Sequence, residues 1–184
     1  IHAQTPQLIK DISPGQYWSN PQSFIDINGV LFFIANDGTH GLELWKSDGT
    51  ENGTFMVKDI NTGYNFSNIS KMTNINGFVY FIADDGIHGK ELWKSDGTEN
   101  GTFMVKDINT GINSANISNI TEHNGQLYFN ADDGILGLEL WKSDGTTNGT
   151  NILKDIKSGK GSSVPSKSIS YNGYLYFFAE GTQS

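Results

Sequence analysis

The chain contains no cysteine. A disulfide framework, a thiolate metal site and a cysteine nucleophile are excluded with it. Basic residues are few: Lys and Arg total 12 against 20 Asp and Glu, for a formal net charge of −8, and they form no run. Gripping a nucleic-acid backbone needs clustered Lys and Arg, so nucleic acid is not an expected partner. Cations, neutral glycans and basic proteins remain compatible with the charge. No apolar stretch approaches the roughly 20 residues of a membrane-spanning helix. No Ser-His-Asp arrangement, phosphate loop or metalloprotease signature occurs, and nothing looks like an enzyme.

What is present points to β structure. The 184 residues are enough for one sizeable core. Aromatics make up 12% of the chain and glycine contributes 22 residues, a combination that suits many short strands joined by tight turns. A disordered chain would lack the aromatics.

Self-similarity sets the architecture. Trp45, Trp93 and Trp141 recur every 48 residues, as do Gly29, Gly77, Gly125 and Gly173, and Asp11, Asp59, Asp107 and Asp155. Three whole units are read at 25–72, 73–120 and 121–168, with a partial unit at 169–184. Residues 1–24 are read as a signal remnant followed by the final strand of a partial unit, because residues 8–12 match 56–60. The remnant itself is Ile1-His2-Ala3-Gln4, which resembles the end of a secretory signal, an arbitrary boundary being the alternative.

Each unit carries three turns. Asn28-Gly29, Asn76-Gly77, Asn124-Gly125 and Asn172-Gly173 are Asn-Gly pairs between apolar residues, the pattern of a two-residue hairpin needing positive φ twice. Asp37-Gly38 and its copies form a second turn, and Ser47-Asp48-Gly49-Thr50 a third. In the second unit the turns predict strands at about 69–75, 78–83, 90–94 and 102–108. The second strand, Phe78-Val79-Tyr80-Phe81-Ile82-Ala83, is apolar throughout. A sheet with one wet face would alternate, so both faces should be covered. The expected fold is all-β: a β-propeller-like array of four-stranded antiparallel blades with a 48-residue repeat, an open β array being the alternative. Such an array leaves blade edges through which copies can self-associate.

Glu43-Leu44-Trp45-Lys46-Ser47-Asp48-Gly49-Thr50 and its copies from Glu91 and Glu139 resemble the bacterial ELWxxDGT repeat. The following Gly53-Thr54 and Lys58-Asp59-Ile60 fit its continuation. The resemblance covers nearly the whole chain. It implies part of a large secreted or surface-attached protein and carries no agreed activity.

The recurring residues each have a structural reading. Trp45, Trp93 and Trp141 are expected to anchor blade against blade; each would remove about 200 Å² from water, on the order of 5 kcal/mol as an upper bound. Glu43, Glu91 and Glu139 are expected to pair across strands with Lys58, Lys106 and Lys154. Asp48 and its copies should cap the third turn. Asp37, Asp85 and Asp133 occupy the second turn, where clustered hard oxygens form turns or ligate calcium. His40 and His88 recur, but Leu136 stands at their place in the third unit, which favours a surface role.

Functional residues are sought where units differ. Gln16-Tyr17-Trp18 aligns with Tyr64-Asn65-Phe66, then Ile112-Asn113-Ser114, then Lys160-Gly161-Ser162. Tyr17, Trp18, Tyr64, Asn65 and Phe66 are the candidate ligand residues: aromatic rings to stack on sugars, with amides beside them. Three roles follow from these observations: a non-catalytic adhesion or scaffold module, a glycan-binding propeller with a shallow site at each blade junction, or a calcium-stabilised structural repeat.

Overall fold

The computed structural model describes residues 5–15 and 17–181; residues 1–4, with their signal-like pattern, and Gln16 lie outside them. Among the described residues there are four antiparallel sheets and no helix. The first contains β1 (Gln22–Ile27), β2 (Val30–Asn36), β3 (Leu42–Ser47) and β4 (Phe55–Lys58). The second contains β5 (Ser70–Ile75), β6 (Phe78–Asp84), β7 (Lys90–Ser95) and β8 (Phe103–Lys106). The third contains β9 (Ser118–His123), β10 (Gln126–Asp132), β11 (Leu138–Ser143) and β12 (Asn151–Lys154). The fourth is the hairpin β13 (Ser166–Tyr171) and β14 (Tyr174–Phe178). In each sheet, strands neighbour one another in chain order.

The turn chemistry produces this order. Asn28 and Gly29 have φ of 54° and 84°, and Asn76 and Gly77 of 53° and 83°, the doubly positive geometry whose twist matches a hairpin. In the third turn, Asp48 Oδ1 accepts from Thr50 N and Oγ1, while Thr50 Oγ1 accepts from Gly53 N. The same three bonds recur around Asp96 and Asp144.

The second strands β6 and β10 lie between sheets, whereas the second strand of the last hairpin, β14, is largely exposed, against the expectation that both faces are covered. Trp93, on the second sheet, shares a buried cluster with Ile34, Leu44 and Ile60 of the first. Trp141 does the same with Tyr80, Leu92 and Val105 of the second. Trp93 and Trp141 thus pack sheet against sheet, whereas Trp45 is buried within its own sheet and beneath Ile12 of the leading segment. The third junction is more polar. There His123 Nδ1 meets Ser170 Oγ at 2.8 Å, and Asn130 Nδ2 donates to the Pro165 carbonyl at 2.6 Å. His123 and Asn130 stand where the second sheet has Ile75 and Ile82.

Two expectations need correction. Residues 8–12 form no strand. A fourth strand pairs with a third, and none precedes this segment among the described residues. The segment nevertheless keeps the place of a fourth strand: Lys10 Nζ donates to the Thr54 carbonyl at 2.7 Å, as Lys58 does to Thr102 at 2.9 Å. Second, Glu43 and Lys58 make no ion pair. The lysine reaches across to the next sheet, and the glutamate turns inward to a different task.

Candidate functional site

That task is building the loop after the fourth strand. Glu43 is fully buried; its Oε2 accepts from Ile60 N at 3.0 Å and its Oε1 from Asn61 N at 3.4 Å. Asp59 Oδ2 accepts from Gly63 N at 3.2 Å, and Asn61 Nδ2 donates to the Phe66 carbonyl at 3.1 Å. The connection from the first sheet to the second is thereby folded into a fixed loop. Ser67 N then donates to the Leu42 carbonyl and the Ser67 carbonyl accepts from Asp84 N, so one residue ties both sheets. Glu91 and Glu139 organise the later connections in the same way. Burial pushes the Glu43 carboxyl up to about 7, against the pull of the Ile60, Ser67 and Asn61 donors and with help from the negative charge of Asp59.

Opposite this loop lies the turn between β2 and β3. Asp37 Oδ1 accepts from Thr39 N, Thr39 Oγ1 and His40 N, and its Oδ2 meets His40 Nδ1 at 2.7 Å. Burial opposes ionisation here, but the bonds from His40 and Thr39 prevail and hold Asp37 down at about 2. The same contact raises His40 above its usual range. Asn36 Oδ1 accepts from Gly38 N at 2.6 Å, and Asn36 N donates to the Ser19 carbonyl at 2.8 Å. That last bond fixes the segment carrying Tyr17 and Trp18 beside the turn.

Loop, turn and leading segment border an open hollow of about 500 Å³, lined by Tyr17, Trp18, Asn20, Asn36, Gly38 and Tyr64. The three aromatic residues are 77%, 83% and 78% exposed. Among the described residues, none that lines the hollow carries a charge. Rings and amides in a concave neutral setting suit a ligand with apolar faces and many hydroxyls.

Three of the five candidate ligand residues therefore meet: Tyr17, Trp18 and Tyr64. Phe66 lines a separate depression of about 240 Å³ with Leu42, Asn68 and Lys90. The Asn65 side chain is engaged within its own loop, donating to the Thr62 carbonyl at 3.1 Å. Asn20, Asn36 and Gly38 are not among the candidate ligand residues read from the sequence. For Asn20 the sequence signal is the period itself, since Asn20, Asn68 and Asn116 recur every 48 residues, and each adopts the left-handed backbone that asparagine tolerates. At the second junction Asn65, Phe66 and Ile112 stand where Tyr17, Trp18 and Tyr64 do, leaving one ring, and at the third Asn113, Ser114 and Lys160 leave none.

Asp37, Asp85 and Asp133 sit one per sheet, each capping its own turn. Asp85 Oδ1 accepts from Ile87 N and His88 N, and Asp133 Oδ1 from Ile135 N and Leu136 N. Among the described residues, no three His, Cys, Asp or Glu side chains gather as a metal cage. No described helix is long and apolar enough to cross a membrane.

No family model matches the chain, and no curated protein matches it.

Proposed function

We propose that this chain is a non-catalytic adhesion or scaffold module of a secreted or cell-surface protein, and that it takes hold of glycans in the cavity at its first inter-sheet junction. The observation that carries the reading is the convergence of three exposed rings, Tyr17, Trp18 and Tyr64, with the Asn20 and Asn36 amides around one uncharged cavity. A pyranose presents C–H groups on its face and hydroxyls on its rim, and such a lining meets both. The gathering of three rings at the first junction, against the single Phe66 at the second, favours one site over a site at every blade. The resemblance to the ELWxxDGT repeat supports the secreted or surface location.

The sheets act as propeller-like blades in this reading. Support comes from the first strands, which approach one another in neighbouring sheets: β1 with β5, and β9 with β13. Blades converging on a common axis bring their first strands together in this way.

The test is retention on a panel of immobilised neutral oligosaccharides. The parent should be retained by at least one, Trp18→Ala and Tyr64→Ala should be released, and Ile112→Ala should behave as the parent. Equal behaviour of all four proteins, or no retention of the parent, would remove the glycan reading.

A further inference from the structure

The hollow between Tyr17, Trp18 and Tyr64 has a neighbour. The depression of about 240 Å³ beside it counts Gln22, Ile34, Phe66, Asn68 and Lys90 among its lining residues. Three of these lie two positions along the chain from residues of the first hollow: Gln22 from Asn20, Ile34 from Asn36 and Phe66 from Tyr64. Two residues span at most about 7 Å. Ile34 and Asn36 both belong to β2, where positions two apart point to the same side. The two hollows therefore lie side by side on one surface, the second reaching from the first sheet to β5 and β7 of the second sheet.

Charge separates the two hollows. The lining of the first is neutral, whereas the second holds Lys90. Lys90 opens β7 at the place where β3 and β11 open with Leu42 and Leu138. Two of the three four-stranded sheets thus form without a cation there. Nor does the fold consume the charge. Lys90 is exposed, and among the described residues its ammonium joins none of the ion pairs. Asp84 stands opposite it across the strands, but Asp84 Oδ1 accepts from Gly86 N at 2.8 Å. The bonds that hold Lys90 in place are made by its backbone, to Ser114 Oγ and Ala115 N. Lys58 and Lys106, by contrast, spend their ammonium groups on carbonyls of the next sheet. Beside Lys90, Phe66 offers a half-exposed ring.

Resting on the glycan reading of the first hollow, we propose that the ligand is an acidic oligosaccharide: a neutral sugar stacks among Tyr17, Trp18 and Tyr64, and a following sugar lies on Phe66 with its carboxylate or sulfate at the Lys90 ammonium. A ring, two amides and one free cation match a sugar that is apolar on its face, hydroxylated at its rim and charged at one substituent. The net charge of −8 gives the chain as a whole no attraction for anions, so a preference for an acidic sugar has to come from a local group.

The test is titration with three probes: a neutral oligosaccharide retained in the panel, the same oligosaccharide with one uronic acid unit, and the same with one sulfate ester. The parent should bind at least one acidic form about three- to tenfold tighter than the neutral form at low salt. That preference should shrink as salt is raised to about 0.5 M. The form preferred assigns the substituent as carboxylate or sulfate. Lys90→Leu, which installs the residue found in the other two units, should bring the ratio to about one. Lys160→Leu makes the same charge change on another connection and should keep the ratio. Trp18→Ala should weaken neutral and acidic forms alike. Equal binding of neutral and acidic forms by the parent overturns the Lys90 site while leaving the glycan reading in place, and so does a preference that survives Lys90→Leu. Binding of none of the three probes removes both.

Discussion

The Lys58 ammonium, at the end of one sheet, donates to the Thr102 carbonyl of the next at 2.9 Å, and Lys106 repeats the bond to Thr150 at 2.7 Å. A cation on one unit thus closes the third turn of its neighbour. Lys58→Met should lower stability by about 1 kcal/mol. A double-mutant cycle of Lys58→Met with Glu43→Gln should show coupling below about 0.5 kcal/mol, since the two side chains serve different partners. Strong coupling in chemical denaturation would restore the cross-strand ion pair that the sequence pattern suggests.

Acidity should stabilise this protein down to a limit. Burial pushes Glu43 and Glu91 up to about 7 from a usual 4.5. Between those values the folded chain keeps protons that the unfolded chain has released. Their contribution is full below the unfolded value and is lost as pH rises through about 7. His40 and His88, raised by Asp37 and Asp85, lose their contribution in the same direction. Asp37, Asp48, Asp96 and Asp144 are lowered, so their contribution disappears as pH falls below the usual carboxylate range. Melting temperature should therefore peak at about pH 4–5 and decline toward about pH 8. Glu91→Gln should flatten that decline. A profile that rises from pH 5 to pH 8 would contradict the buried-carboxyl account.

Val164 holds a φ of 44°, where Asn20, Asn68 and Asn116 stand at the same place in the other units. A β-branched residue is strained in that region and asparagine is not. Val164 is half exposed, so its replacement gives up little packing. Val164→Asn should raise stability by about 0.5–1 kcal/mol, read as a higher melting temperature. An unchanged or lower value would show that the side chain matters more than the backbone.

The Asp-rich second turns are already satisfied by their own N–H groups and, in two of them, by a histidine. Melting midpoints with calcium and with chelator should coincide. Asp85→Ala should cost about 1 kcal/mol by uncapping the turn. A calcium-dependent rise in midpoint that Asp85→Ala abolishes would assign these turns to the metal instead.

The period of the fold was legible because identical turns demand identical residues. The Asn-Gly pairs name their own geometry, and the unbroken apolar run at Phe78 to Ala83 marks a strand covered on both faces. The partners of Glu43 and Lys58 were not legible. Spacing places them on neighbouring strands, but the buried glutamate satisfies backbone donors 17 and 18 residues away, and the lysine finds a carbonyl 44 residues away. Such contacts depend on the loop path and on how one sheet sits against the next. The same is true of the cavity. Trp18 and Tyr64 stood out as aromatic residues in variable loops, yet Asn20 and Asn36 join them only through the bond from Asn36 N to Ser19.

The glycan site is best tested through its own chromophore. Trp18 is 83% exposed, whereas Trp45, Trp93 and Trp141 are buried, so red-edge fluorescence reports on the cavity alone. Titration with an oligosaccharide retained in the panel should shift that emission to the blue in a saturable way, and the shift should vanish in Trp18→Phe while the buried emission stays. Emission that does not respond to any sugar in the panel, or a shift that survives in Trp18→Phe, would contradict a glycan bound between Tyr17, Trp18 and Tyr64.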